Sequence, residues 1–337
     1  MVMGNKKVLE VGKIPNSLLQ TLVLDKIKIK NADVLVNPGI GEDCCALDFG
    51  DQLCVMSTDP ITGTAAEVGR LAVHISCNDV ASCGIAPIGL MVTVLAPEGT
   101  TVEDLEKVSD QLNQAANEIG VDIIGGHTEV TQAVNRFVLI TMAVGKIKKD
   151  RMITTSGAKV GDDIVITKGA GIEGTAIIAY EKEDELLPVI GEELLNKAKS
   201  YMEKLSVVPE GVIAGEFGVH SMHDVTEGGL LGALWEVCRA SGTGAEVFEE
   251  KIPLSEETRK ICEHFAIDPF KLISSGCMLI TCKNGEDLVK KLGQKGIRAA
   301  VIGSVTEKGC YLVRKDRSRV FVNEPESDEL YKVLKSQ

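Results

Sequence analysis

Residues 67–84, EVGRLAVHISCNDVASCG, decide how the rest of the chain is read. Val68, Leu71, Ala72 and Ile75 recur at i, i+3, i+4 and i+7, the spacing of one helix face, and the next step along that face is Asp79. Val73, Cys77 and Val80 fill the other faces, so the helix is apolar nearly all round and is expected to be buried. Gly84 can supply a left-handed stop, and Pro87 prevents continuation. A carboxylate well inside a buried helix is costly unless something pairs it. Asp79 is therefore either a hydrogen-bonded structural residue or a metal ligand, with Asn78 beside it as an oxygen donor. Whether other carboxylates converge on the same place decides between the two.

Working outward, acidic residues punctuate the first half. A sharp turn at Pro38, Gly39 and Gly41 leads into Glu42-Asp43, and the strand LCVMSTDP is expected to end at Thr58-Asp59, before Pro60. Such positions, at strand ends, are where ligands are usually held. Before these, residues 15–29 read as a short first helix with Leu18, Leu22 and Ile29 on one side. Thr101 to Asp104 resembles a capping box, followed by a core stripe of Leu105, Val108, Leu112, Ala115 and Ile119. Gly120 closes that helix; VDII reads as a short strand, followed by a Gly125-Gly126 turn and the strand-borne polar cluster His127-Thr128-Glu129. Two glycines let backbone N–H groups approach a phosphate closely. Together with the acidic residues they point to a hydrated Mg²⁺ bridging phosphates.

The bulk properties narrow the class. The chain has 337 residues, enough for two domains, and its 44% hydrophobic and 25% charged residues fit an ordinary globular protein. A formal charge of −13 without a basic stripe argues against a nucleic-acid partner. No apolar run is long enough to span a bilayer, and MVMGNKKVLE lacks the apolar segment of a signal peptide, so a cytoplasmic location is expected. Ten cysteines without any C-x-x-C are read as buried free thiols.

The polar segment 149–159 is taken as the junction between two domains, 1–150 and 151–337. Beyond it, DDIVIT is followed by Gly169-Ala-Gly171-Ile-Glu-Gly174, a G-x-G-x-x-G between a strand and a helix. A dinucleotide fold also needs a second parallel strand ending in an acid about 20 residues on. That region carries Leu194, Leu195, Ala198, Tyr201, Met202 and Leu205 at helical spacing, so an NAD(P)-dependent oxidoreductase is the weakest reading. Gly169 and Gly171 are better read as a turn beside phosphates. The second anchor is HSMHDVTEGGLLGALWEVCRA, residues 220–240, where Asp224 and Glu227 precede a helix and are either simple caps or ligands. Residues 310–323 read as a hairpin turning near Asp316 to Ser318.

Gly41-Glu42-Asp43, Thr58-Asp59, Asn78-Asp79, Gly125-Gly126-x-Thr128, Gly161-Asp162 and His223-Asp224-Val225-Thr226-Glu227-Gly228-Gly229 stand in the order of a known family. Across essentially its whole length the chain resembles the aminoimidazole-ribonucleotide (AIR) synthase-related, PurM-like ATP-binding superfamily. The nearest resemblance within it is to the hydrogenase-maturation HypE-like proteins, in ASCGIAPIGLMVTV and RMITTSGAKVGDDIVIT. The resemblance implies an α/β fold whose N-terminal domain pairs into a dimeric β-barrel, with a C-terminal α/β domain beside it. It implies ATP and Mg²⁺ in a cleft, and transfer of the γ-phosphoryl group to a carbonyl, amide or phosphate acceptor. Carried over by position, Glu42, Asp43, Asp59 and Asp79 hold Mg²⁺, joined by Glu129; Asn78, Gly125, Gly126 and Thr128 lie near the nucleotide. Asp224, with His223 beside it, faces them across the cleft.

The chain also departs from its relatives. HypE proteins end in Pro-Arg-Ile-Cys, whereas this sequence ends YKVLKSQ, so the chemistry of that tail is not expected of it. The first cysteine is Cys44, which argues against selenophosphate synthesis. The thiamine-monophosphate kinase pattern Gly-Gly-Asp-Thr-Thr becomes Gly125-Gly126-His127-Thr128-Glu129. Imidazole is a poor Mg²⁺ ligand, so either Glu129 replaces the lost carboxylate or one metal is missing, and His127 is free to contact a phosphate. The leading expectation is an ATP- and Mg²⁺-dependent enzyme, with a homodimer and a maturation-protein partner. The alternative is a nucleotide-binding scaffold that does not turn over.

Overall fold

The computed structural model describes residues 9, 13–62, 67–325 and 327–334. The readings that rest on residues 1–8, 10–12 and 335–337 lie outside the described residues. The expected mixed α/β fold is present as two sheets, one on either side of residues 149–159.

The chain opens with helix α1 (Asn16–Leu22) and then builds the first sheet. Its strands are β1 (Val34–Val36), β2 (Cys45–Asp48), β3 (Gln52–Ile61), β4 (Gly89–Pro97), β5 (Asp122–Thr131) and β6 (Val138–Lys148), in spatial order β1-β2-β3-β6-β4-β5. Only β4 and β5 run parallel, joined by the crossover helix α3 (Val102–Ile119). The capping box is formed: Thr101 Oγ1 accepts from the Asp104 N–H, and the Asp104 carboxylate accepts from the Thr101 N–H.

Helix α2 (Val68–Ser82) is buried at every residue except Ile75. Its lack of a polar face has a structural cause. Ala72, Val73, Cys77 and Val80 belong to the core under the first sheet, while Leu71 packs into the core of the second half. The helix is sandwiched between the two halves of the molecule.

The second sheet holds β7 (Asp163–Thr167), β8 (Ser221–Asp224), β9 (Gly244–Phe248), β10 (Met278–Cys282), β11 (Ala299–Thr306), β12 (Cys310–Val313) and β13 (Arg319–Phe321), ordered β13-β12-β9-β11-β7-β10-β8. Between them run α4 (Ile172–Glu181), α5 (Glu183–Ile190), α6 (Glu192–Lys199), α7 (Val208–Phe217), α8 (Gly229–Ser241), α9 (Glu256–His264) and α10 (Gly285–Gly293); α11 (Leu330–Leu334) follows β13. The expected hairpin is β12–β13. All ten cysteines are free and eight are buried.

The structure corrects four local expectations. The first helix stops at Leu22, which is half exposed; a short 3-10 turn, Leu24–Lys26, follows, and residues 27–30 are not helical. Strand β3 continues past Asp59, with Pro60 opposite Ile140. Proline is tolerated there because β2 pairs with β3 only as far as Met56, so the far side of Pro60 has no ladder partner. Gly125-Gly126 form no turn; with the strand-borne residues 127–129 they are the middle of β5, paired with Met91 to Leu95 of β4. A Cβ on Gly126, whose φ is +152°, would sit 1.8 Å from the Val92 carbonyl oxygen, so that glycine serves a close strand approach. Finally, β7 has antiparallel neighbours on both sides, β10 and β11, and no βαβ unit follows the 169–174 glycines. That removes the structural basis of the NAD(P) reading. Gly169 and Gly171 are buried, and a Cβ on them would lie 2.9 Å from the Pro253 carbonyl oxygen and 3.0 Å from Thr258 Cγ2 respectively.

Candidate functional site

The site is built where the end of the second sheet meets α2. Strand β8 ends in His223-Asp224, both fully buried, and β3 contributes Ser57 and Asp59 from the sheet face that α2 covers. Asp79, only 3% exposed, projects from α2 toward them. It accepts a short hydrogen bond from Ser57 Oγ and shares another with Asp59. Ser57 Oγ also lies 3.0 Å from the Asp43 carbonyl oxygen, which fastens the loop before β2 to β3. Ligand atoms of Asp43, His223 and Asp224 lie within 4.8 Å of one another. Asp43, Asp59, Asp79 and Asp224 are thus gathered from four parts of the chain.

Electrostatics register the crowding. Burial, then the charges of Asp224, Asp59 and Asp43, push the Asp79 carboxyl well above the usual range. Burial and Asp43 push Asp224 up to about 7, with His223 opposing. Both carboxylate oxygens of Asp224 are buried without a hydrogen-bond partner among the described residues. Buried carboxylates facing one another with two orphaned oxygens are what a hard divalent cation satisfies, so the donor set fits Mg²⁺. Asp79 thus meets other carboxylates, the condition that a ligand role requires, while it is also hydrogen-bonded to Ser57 and Asp59.

His223 has a different environment from the carboxylates. Its Nε2 is 2.9 Å from Glu236 Oε2, and its Nδ1 is 3.4 Å from Asp43 Oδ2. Burial alone would lower its pKa, but the Glu236 hydrogen bond and the charges of Asp43, Glu236 and Asp224 carry it to about 9. Glu236 resists burial through Lys13 and His223 and falls to about 2. Lys13 Nζ is 3.4 Å from Glu236 Oε1, completing an alternating row Lys13–Glu236–His223–Asp43. The raised pKa favours imidazolium beside the carboxylates; Nε2 is engaged by Glu236, while Nδ1 lies 3.4 Å from both Asp43 and the Thr155 hydroxyl.

Glu236 and Lys13 escaped the sequence reading. Glu236 sits in the apolar run LLGALWEVC, so the argument made for Asp79, an acid inside a buried helix, would have found it. Lys13 carried no such signal, because its partners lie more than 200 residues away.

Other expected site residues are placed elsewhere. Asn78 is fully buried and its amide is used on both sides: Nδ2 donates to the Leu205 carbonyl and Oδ1 accepts from the Val207 N–H, each at 2.8 Å. Glu42 Oε1 accepts from the Ser156 N–H at 3.1 Å, binding the loop to the junction segment. His127 and Glu129 stand on the exposed side of β5, opposite Thr93 and Leu95 of β4, and pair with each other at 3.3 Å. Asp59 projects from the other face of that sheet, three strands away, roughly 14 Å at ~4.8 Å per step. Within one chain, neither His127 nor Glu129 reaches the carboxylates. Gly126 and Thr128 lie on the covered face but at the same strand separation.

Comparison with known proteins agrees with this architecture. Residues 41–147 match the AIR synthase related protein, N-terminal domain, and residues 159–315 match the corresponding C-terminal domain. A protein of Methanocaldococcus jannaschii, named for hydrogenase expression and formation, is 30% identical over 88% of this chain and 89% of its own length. The carbamoyl dehydratase HypE of Rhizobium leguminosarum is 27% identical over 81% of this chain and 79% of its own. Among solved structures, HypE in a HypE–HypF complex superposes with a TM-score of 0.77 at 24% identity, covering 92% of this chain and all of that one. HypE in complex with ATP gives 0.69 at 24% identity, covering 94% of this chain and 96% of that one. Among the described residues no helix is long and apolar enough to cross a membrane. The chain belongs to the AIR synthase-related family.

Proposed function

We propose that this chain is an ATP- and Mg²⁺-dependent phosphoryl-transfer enzyme of the HypE-like type, which activates the oxygen of a small carbonyl or amide acceptor. The observation that carries the reading is Asp224, whose two buried oxygens have no hydrogen-bond partner among the described residues and face Asp43, Asp59 and Asp79. Asp43, Asp59, Asp79 and Asp224 would hold Mg²⁺, which when bound neutralises phosphate charge. The protein's remaining task is to position acceptor and nucleotide, because the transition state of phosphoryl transfer is loose and its charge dispersed.

On this reading His223 keeps Asp43 aimed into the cleft, and the low-dielectric surroundings strengthen each charge there. The acceptor oxygen takes the γ-phosphoryl group and ADP leaves. For an amide, loss of the N–H protons and departure of phosphate then leave a nitrile, the dehydration by which the carbamoyl dehydratase relative is named. A homodimer through the open face of the first sheet, and docking of a maturation factor as in the HypE–HypF complex, belong to the same proposal. His127 and Glu129 would then lie at the contact between copies.

A nucleotide-binding scaffold without turnover is the second reading, favoured by the distance of His127 and Glu129 from the carboxylates. Thermal-shift measurements with ATP, ADP, AMP and NAD(P), each with and without Mg²⁺, followed by ADP and phosphate release, separate these readings. Mg-ATP at ~100 times its Kd adds about 2.7 kcal/mol, a shift of several degrees. Stabilisation by NAD(P)H alone would sink both, and Mg-ATP stabilisation without any product favours the scaffold.

A further inference from the structure

The two halves of the carboxylate cluster come from different halves of the chain, so something must fix their separation. The hydrogen bonds trace a short route between them. Asn78, the neighbour of Asp79 on α2, grips the tripeptide 205–207 by its outer residues, the Leu205 carbonyl and the Val207 N–H. Lys168 grips the same tripeptide from the other side: its Nζ donates to the Ser206 carbonyl at 2.6 Å. The same ammonium donates to the Gly276 carbonyl at 2.9 Å and lies 2.5 Å from Glu210 Oε1. Cys277, next to Gly276, accepts through its carbonyl from the Val225 N–H at 2.9 Å, and Val225 follows Asp224. The route therefore runs from Asp79 through Asn78, residues 205–207, Lys168 and residues 276–277 to Asp224.

The backbone supports it. Lys168 is one of the few non-glycine residues with positive φ, +56°, an unfavoured conformation that turns the chain back at the end of β7. One turn further along the same face of α2, helix α7 comes so close that a Cβ on Gly211 would lie 2.2 Å from the Ala81 carbonyl oxygen. That contact leaves α2 little room to move.

We propose that Asn78 and Lys168 are positioning residues which set the gap between Asp79 and Asp224, and with it the affinity of the cluster for a divalent cation. Neither touches the ion; each acts through the 205–207 tripeptide. The inference rests on the metal-binding role given to the cluster above. It also gives Asn78 a task different from direct nucleotide contact.

The test titrates terbium ion by luminescence, and Mg²⁺ with a non-hydrolysable ATP analogue by calorimetry. It compares the full-length wild type with Asn78→Ala, Lys168→Arg and Gly211→Ala. Lys168→Arg keeps the charge facing Glu210 but cannot reproduce the grip on two carbonyls, and Gly211→Ala wedges α2 away from α7. Leu312→Ala, a cavity on β12, three strands from β7 and five from β8, controls for loss of stability alone. Ion affinity is expected to fall about tenfold or more in the three variants. Nucleotide affinity without metal, and ion affinity in Leu312→Ala, should stay at the wild-type level. Any folded variant of the three with wild-type ion affinity overturns the proposal, as does an equal loss in Leu312→Ala or no terbium binding by the wild type. If the wild type binds terbium but not Mg-nucleotide, the proposed function fails while the terbium titrations still judge the spacing.

Discussion

His223 Nε2 and Glu236 Oε2 lie 2.9 Å apart with side chains only 3% and 4% exposed, making them a desolvated ion pair at the edge of the carboxylate cluster. The pair lets a positive charge stand beside Asp43 and Asp224 without a metal. Through it Glu236, which lies outside the cluster, sustains the charge that stands 3.4 Å from Asp43.

Glu236→Leu is therefore expected to destabilise the fold by about 3–5 kcal/mol, because it strands His223 and frees Lys13. Glu236→Gln keeps a hydrogen-bond acceptor and should cost less. Urea denaturation measures both, and a loss below about 1 kcal/mol in Glu236→Leu, within the range of ordinary surface changes, would show that the pair is not holding the site.

Glu173 gives a pH dependence whose sign is fixed. It is buried at the start of α4, where burial lifts its pKa to about 7; the Ser275 hydrogen bonds oppose the rise, and Asp328 and Glu227 add to it. A carboxyl raised in the folded state contributes stability that is complete below its unfolded value near 4.5 and lost as pH rises through 7. Glu173→Gln, which can still accept the Ser275 N–H, should match the wild type near pH 4.5. It should gain on the wild type to about 3 kcal/mol by pH 8, reading ~1.4 kcal/mol per pKa unit. Parallel stability–pH curves for the two proteins would contradict this.

His74 runs the other way. Both ring nitrogens are buried without a partner among the described residues, and burial, then Arg70, lowers its pKa to about 4. A base depressed by folding contributes stability that is present above 6.5 and lost as pH falls toward 4. His74→Leu should stabilise at neutral pH by about 1–3 kcal/mol, since it removes two unsatisfied groups. Its advantage should grow further as pH drops from 6.5 to 4. A destabilised His74→Leu at pH 7 would mean that the imidazole makes a contact worth more than its burial costs.

These residues show what a sequence can and cannot disclose. Asp43, Asp59, Asp79 and Asp224 were legible because each is an acid where local pattern demands an apolar or turn residue, and that conflict is visible without a fold. Their convergence was expected only from the resemblance, since four segments separated by up to 181 positions meet by tertiary packing. Gly125-Gly126 misled because paired glycines signal a turn, while here they permit a strand to approach Val92 closely. Asn78 misled for a related reason: its position beside Asp79 suggests a ligand, but successive helix residues point about 100° apart, and it faces the 205–207 tripeptide. For His127 and Glu129 the deciding fact is which face of the sheet they take, and pairing with Thr93 and Leu95 of β4 fixes that face without any alternation in the sequence of β5 to mark it.

The open face of the first sheet yields the last prediction. Helices α2 and α3 cover one face, and alternate residues of β3, β6 and β4 turn Met56, Met142 and Met91 to the other. The strand registers place Thr58, Met142, Met91 and Gly125 in one row across β3, β6, β4 and β5. Met91 is 43% exposed, and on the edge strand Ile124, beside Gly89 of β4, is 60% exposed. An apolar sheet face ending in an unprotected edge is a surface that a soluble chain covers with a partner, and two-fold pairing of identical faces is the commonest solution. Sedimentation at micromolar concentration should give the mass of a dimer. Met91→Glu places a charge in the middle of the row, and across a two-fold contact that charge faces either its own copy or apolar side chains. The variant should sediment as a monomer while keeping its fold by circular dichroism, because the substituted side chain points away from the core. A wild type that stays monomeric would leave this face unpaired, and a Met91→Glu protein that stays dimeric would put the contact elsewhere.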